Sequence, residues 1–248
     1  MKLDTYEEFK VKCKKCNDTG WIYKENQVYK CPCRLSQITE NISNRMKIPK
    51  KYRHATLENF KPYKEYGHDE ILKRIKRYIL SNEYKEGKGL IFIGPPGIGK
   101  THLAVSILKE FFLKRNIVGL FRDTRTLLFD LKSTFDGSGS SRELLQEVLS
   151  APILVLDDLG SERLSDWARD ILHYILIHRY NELKPIIITT NLEIDIDTQE
   201  NESLETRMGK PIVSRISEIC EPIYMTGEDH RTMKKLNKIS KEEDSENS

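Results

Sequence analysis

From Gly89 onward, short continuous apolar runs alternate with longer amphipathic stretches. The runs "GLIFIG", "VGLF", "PILVLDD" and "PIIITTN" lack the in–out alternation of a half-solvated strand, so they read as strands buried on both faces. Between them, "THLAVSILKEFFLK", "TRTLLFDLKSTF", "ELLQEVLS" and "DWARDILHYILIHRYN" have the spacing of amphipathic helices. Strands alternating with helices predict an α/β fold, a parallel sheet flanked by helices. Upstream, "HDEILKRIKRYIL" stacks Ile71, Ile75 and Ile79 on one helical face, and the stretch before it, from Leu35 to Tyr63, has no strong period. That middle piece reads as a linker ending in a helix. There are no repeats, and the tail "NKISKEEDSENS" has the composition of a disordered segment.

The 248 residues allow one medium-sized core and a small appendage. Hydrophobic residues at 38% and charged residues at 32% are those of an ordinary soluble protein. No apolar run approaches the roughly 20 residues that cross a bilayer, and the start "MKLDTYEEFK" lacks a signal peptide's apolar core. A cytoplasmic protein without a membrane partner is therefore expected, with its thiols reduced. The net charge of +3 hides an asymmetry: residues 1–88 carry 21 Lys+Arg against 12 Asp+Glu, while residues 89–248 carry 20 against 26. A basic half is usually a solvated surface, but it also suits an acidic partner.

The strongest chemical signal is "GPPGIGKT", which fits the phosphate-loop pattern G-x-x-x-x-G-K-[ST] and sits between an expected strand and an expected helix. Gly94, Pro95, Pro96, Gly97, Ile98, Gly99, Lys100, Thr101 and His102 are the candidate nucleotide-binding residues. Gly97 and Gly99 let backbone N–H groups turn towards phosphate oxygens, at the positive end of the following helix. Lys100 is expected to reach the β- and γ-phosphates and Thr101 to bind Mg²⁺. In "PILVLDDLGSE", Asp157 and Asp158 end a buried strand. Asp157 is suited to hold Mg²⁺ through water, and Asp158 to polarise an attacking water. A carboxylate pair there is costly without a cation. Asn191 ends the next strand, "PIIITTN", where its amide can touch the γ-phosphate or orient water, although such an Asn also serves as a turn former.

With "GPPGIGKTHLA", "LVLDDLG", "ITTN" and the terminal "GEDHR" together, the chain resembles the AAA+ ATPases of the DnaC/DnaI helicase-loader group, which also includes the transposition helper IstB. The resemblance runs from about Ile48 to Arg231 and extends N-terminally through the cysteines. "IPKKYRHATLENF" and "DDLGSERLSDWARDIL" narrow it to this group, and the former resembles the segment that helps enclose adenine. The resemblance implies that Arg215, in "PIVSRISEI", is the arginine finger, with Arg207 a nearby rival, and that Arg231 is the second sensor arginine. Many AAA+ enzymes carry Glu where Asp158 stands, so slow turnover is expected. A finger acting in trans implies an ATP-dependent homo-oligomer working as a switch. The family also holds single-stranded DNA on the inner face of that assembly, and Phe135, Ser165 and Trp167 match the contact positions. Aromatic faces stack on bases without reading sequence, although an aromatic on an amphipathic helix commonly belongs to the core.

"CKKCNDTGWIYKENQVYKCPC" places Cys13, Cys16, Cys31 and Cys33 with the short–long–short spacing of a zinc ribbon, around a segment that reads as a turn and a hairpin. A thioredoxin-like site would need a surrounding βαβ pattern. Trp21, Ile22 and Tyr23 are available either as ribbon core or as contact surface. Cys220 reads as a small buried apolar residue. In helicase loaders the zinc module grips the replicative helicase, which makes a DnaB-family helicase the implied partner. The expected organisation is a zinc-binding module over 1–47, a linker and adenine-proximal segment over 48–88, an AAA+ ATPase domain over 89–233 and a tail over 234–248. The implied function is ATP-dependent loading of the replicative helicase onto single-stranded DNA, with ATP/ADP, Mg²⁺ and Zn²⁺ as cofactors. The alternatives are an IstB-like transposition helper and an adaptor that binds ATP without meaningful hydrolysis.

Overall fold

The computed structural model describes residues 13–16, 19, 21–24, 27–31, 40–133, 140–161, 164–194 and 203–232. The chain divides into two compact units, Met1–Arg45 and Met46–Ser248. In the first, β1 (Trp21–Lys24) and β2 (Gln27–Lys30) form the expected antiparallel hairpin, with Tyr23 opposite Val28. Trp21 and Ile22 are half-buried, whereas Tyr23 is 77% exposed. The helix over 40–45, α1, also belongs to this unit.

The second unit is built on a five-stranded sheet in the order β4-β5-β6-β3-β7, every neighbouring pair parallel. The strands are β3 (Gly89–Ile93), β4 (Leu120–Asp123), β5 (Leu154–Asp157), β6 (Ile186–Thr190) and β7 (Cys220–Tyr224). The central strands β3, β5 and β6 are buried at every position, as continuous apolar runs require of a sheet covered on both faces. β7 was not legible as a strand. "CEPIY" carries Glu221 and Pro222, which an edge strand tolerates and a central one does not.

Helices α2 (His68–Leu80), α3 (Lys100–Arg115), α4 (Thr124–Ser133), α5 (Ser140–Ser150), α6 (Asp166–Asn181), α7 (Leu204–Met208) and α8 (Lys210–Ile219) complete this unit. Ile71, Ile75 and Ile79 of α2 are buried as their spacing predicted, and Tyr78 meets Phe111 of α3 edge-on. At the sheet edge, Arg74 and Arg77 pair with Glu221, and Arg74 also donates to the Pro222 carbonyl at 2.7 Å. The stretch before α2 is not a loose connection. Lys109 of α3 donates to the carbonyls of Arg53 and Ala55, His102 bonds the Thr56 carbonyl at 2.8 Å, and Phe60 is buried.

Candidate nucleotide and metal sites

The phosphate loop leaves β3 and enters α3 through Gly97 and Gly99, with φ of 84° and 104°. Both are in the left-handed region that glycine adopts at low cost. Space imposes a second requirement there. A Cβ on Gly97 would stand 2.0 Å from Asp229 Oδ1, and one on Gly99 would stand 2.7 Å from the Phe60 ring. The loop is thus held between the segment around Phe60 and the "GEDHR" segment, whose His230 N–H donates to the Gly97 carbonyl at 3.2 Å.

Lys100 opens α3 and is buried, and its ammonium uses three acceptors: the carbonyls of Gly94 and Pro95 at 2.6 and 2.7 Å, and Asn191 Oδ1 at 2.7 Å. Burial lowers its pKa to about 8; Asp158 and Asp157 oppose that shift, and the Arg231 guanidinium reinforces it. An anion with phosphate's charge relieves both the burial cost and the repulsion from Arg231. Asn191 gives its Nδ2 to Asp158 Oδ1 at 2.8 Å, so one amide joins the lysine to the second carboxylate.

Asp157 is buried at the end of β5, and burial raises its carboxyl pKa against the hydroxyls of Thr189 and Thr101, which both donate to it. Thr189 Oγ1 donates to Asp157 Oδ1 at 2.7 Å and accepts the Asp158 N–H at 2.8 Å, while Thr124 donates to the Asp157 carbonyl. Asp158 itself has φ 57°, a left-handed turn that carries its side chain off the strand line towards Asn191. A carboxylate in contact with a threonine hydroxyl, beside the loop, is a donor set that suits Mg²⁺ with water completing its shell. The ion would neutralise phosphate charge during transfer.

Thr189 and Phe60 were not singled out from the sequence. The doubled threonine before Asn191 was the available signal for the first, because a hydroxyl on a strand buried throughout needs a polar partner. Beside the loop, Tyr63 stacks on His230 with centroids 5.2 Å apart and planes 18° apart. Buried His68 accepts the Tyr63 N–H at Nδ1 and donates from Nε2 to the Thr226 carbonyl, tying the segment before α2 to the one carrying Arg231.

The remaining described candidates of the second unit make contacts of their own. Arg215 is on α8 and bonds Glu218 at 3.0 Å; Arg207 is half-buried in α7. Ser165 caps α6, its side chain accepting the Ala168 N–H at 3.3 Å, and Trp167 packs half-buried against the core. Phe135 and Cys33 lie outside the described residues. In the N-terminal unit, Cys13, Cys16 and Cys31 bring their sulfurs within 4.8 Å of one another, and Cys13 and Cys31 are 3.7 Å apart. Tetrahedral zinc with bonds of about 2.3 Å sets its sulfurs roughly 3.8 Å apart. Three convergent thiols therefore fit one face of a zinc site, and Thr19 folds the Cys13–Cys16 turn by donating to the Cys16 carbonyl at 2.6 Å.

A five-stranded parallel sheet in this order, with a phosphate loop after β3 and a carboxylate pair at the end of β5, defines a P-loop protein of the AAA+ class. The chain belongs to the IstB-like ATP binding protein family, which matches residues 33–238. It is 28% identical over 157 residues to the replicative helicase loader DnaI of Bacillus subtilis (strain 168), covering 60% of this chain and 50% of that protein. To the replicative helicase loader DnaC of Escherichia coli (strain K12) it is 30% identical over 155 residues, 61% of each chain. A crystal structure of the DnaC helicase loader superposes with a TM-score of 0.64 at 42% identity, covering 72% of this chain and 100% of that one. The chain thus spans between half and about three-fifths of the curated relatives' length.

Proposed function

We propose that this protein hydrolyses ATP to load a replicative DNA helicase of the DnaB family onto single-stranded DNA. The observation that carries the ATPase reading is the bridge from Lys100 through Asn191 to Asp158. It joins the group that binds phosphate to the group suited to polarise water, so occupancy of the loop alters the base directly. Lys100, Thr101 and Asp157 bind the nucleotide with its Mg²⁺. Asp158 positions the water, Asn191 reports phosphate to it, and Arg231 contributes positive charge from the same chain. Asp158 is one methylene shorter than Glu, which favours slow hydrolysis, and binding of the DNA strand is taken to stimulate it.

The loading reading rests on the relatives named as helicase loaders, on the three-thiol cluster and on the separate N-terminal unit. In this reading the zinc-bound unit holds the helicase, the ATPase unit assembles into an ATP-dependent homo-oligomer through Arg215, and Trp167, Ser165 and Phe135 face the DNA strand. Native mass spectrometry of the full chain with the host's replicative helicase, with ATP and a single-stranded oligonucleotide, tests it. A stable complex that deposits the helicase on DNA is the expected result. Absence of any complex, together with capture of a transposase on duplex DNA, would favour the second reading, which the family's own description motivates: an IstB-like transposition helper.

A further inference from the structure

The guanidinium of Arg215 is held from two sides. Its Nη1 donates to Glu218 Oε2 at 3.0 Å, and its Cζ lies 5.0 Å from the centroid of the Tyr180 ring. Tyr180 closes the triangle by donating its hydroxyl to Glu218 Oε1 at 2.6 Å. The two acidic oxygens are thus shared between the tyrosine and the arginine, and those two bonds hold the Glu218 carboxyl below its usual range.

An ion pair in which Arg215 and Glu218 are 46% and 48% exposed is ordinarily loose, because water competes for both groups. Here the supports are stiff. Tyr180 sits in the last turn of α6, next to Arg179, which is fully buried and donates to the carbonyls of Val148, Ala151 and Pro185. Glu218 lies at the end of α8, whose Ile212, Val213, Ile216 and Ile219 are buried, and its own carbonyl accepts from Lys88 at 3.0 Å. A flexible arginine therefore stands on a fixed aromatic face with its Nη1 committed to Glu218, and its half-exposed guanidinium is open to an incoming anion.

We propose that Tyr180 and Glu218 are positioning residues for Arg215. They present its guanidinium in one orientation to the terminal phosphate of a nucleotide bound by a second copy of the chain. This rests on the reading of Arg215 as the arginine finger. A guanidinium oriented before encounter loses less side-chain freedom when it meets phosphate, and misplacement of such a group costs rate more than nucleotide affinity.

The test compares Arg215→Ala, Glu218→Gln, Tyr180→Phe and Tyr180→Leu in the full chain, by steady-state ATPase kinetics and nucleotide binding. Each variant is also mixed with Lys100→Ala, whose own phosphate loop is disabled and whose finger is intact. Arg215→Ala is expected to lose about 10³-fold or more in kcat. Glu218→Gln and Tyr180→Leu are expected to lose roughly tenfold or more at unchanged nucleotide affinity, with Tyr180→Phe milder because the ring face remains. Addition of Lys100→Ala should restore part of the lost turnover, because its finger then serves the variant's intact loop. Wild-type kcat in Glu218→Gln and Tyr180→Leu beside an inactive Arg215→Ala would overturn the positioning role and leave the finger standing. Wild-type turnover in Arg215→Ala would remove the finger itself. A fall in nucleotide affinity that tracks kcat, without recovery on mixing, would assign Tyr180 and Glu218 to the fold alone.

Discussion

The ammonium of Lys100 donates to Asn191 Oδ1 at 2.7 Å across 91 positions of sequence, and the same amide donates to Asp158 at 2.8 Å. A charged donor and a carboxylate therefore share one neutral side chain. In the proposed ATPase reading, phosphate entering the loop would compete for the lysine, and Asn191 would then turn its nitrogen to the new anion or to a water beside Asp158.

Three substitutions separate these roles. Lys100→Ala should weaken nucleotide binding, Asp158→Asn should retain ATP and stop hydrolysis, and Asn191→Ala should bind ATP within a few-fold while kcat falls about 10²-fold. Equilibrium binding of a fluorescent ATP analogue and a phosphate-release assay read the two quantities. Full turnover by Asn191→Ala would take that residue out of the site.

The pKa of about 8 at Lys100 gives a second expectation, with a definite sign. Only the protonated lysine pairs with phosphate, and bound phosphate raises its pKa. Below pH 8 this group leaves nucleotide affinity flat. Above pH 8 the free protein has lost the proton that the complex needs, so binding takes one up and affinity falls, approaching tenfold per pH unit. Calorimetry at pH 9 in two buffers of different ionisation enthalpy detects the uptake. Equal affinity at pH 7 and pH 9.5 would count against it.

Asp157 has the opposite balance, because burial raises its pKa despite two donated hydroxyls. Between the unfolded and folded pKa values the folded chain binds the extra proton, so its stability declines as pH rises through that window, and the full cost remains above it. Asp157→Asn removes the buried charge. At neutral pH it should melt higher than wild type without nucleotide, by roughly 2–4 °C for each kcal/mol relieved, and should lose the stabilisation that Mg²⁺-ATP gives wild type. Thermal scans with and without Mg²⁺-ATP decide both. A lower melting point in the nucleotide-free variant would mean that the hydroxyls of Thr189 and Thr101 outweigh the burial cost.

Legibility in the sequence followed the kind of force involved. β3, β5 and β6 were readable because burial on both faces writes a continuous apolar run, and α2 because Ile71, Ile75 and Ile79 recur at helical spacing. The stretch over 50–66 was not readable, since it is fixed by a few polar ties from Lys109 and His102 and by Phe60, none of which is periodic. Arg179 reads as a solvated charge on an amphipathic helix, yet it is fully buried among backbone carbonyls. At the site, the loop, Asp157 and Asp158 announce themselves by pattern. The pairing of Lys100 with Asn191 depends on β6 lying beside β3, which no local pattern encodes.

The division at Arg45 and Met46 leads to the last expectation, about metal. The hairpin of β1 and β2 has four residues in each strand, and Tyr23, Val28 and Tyr29 are each about half exposed or more, so apolar burial alone holds it weakly. Thiolate ligation of a structural zinc would supply what is missing, of the order of 10 kcal/mol or more. Cys16→Ser/Cys31→Ser protein should therefore lose its metal and the dispersed backbone resonances of residues 13–31, while the unit from Met46 onward keeps its parallel sheet and its ATP affinity. It should also fail to bind the replicative helicase that wild type is proposed to hold. Elemental analysis, amide spectra and a pull-down give the three readings. Zinc well below one per chain in wild type would remove the metal from the argument, and full helicase binding by the double variant would move the docking surface to the ATPase unit.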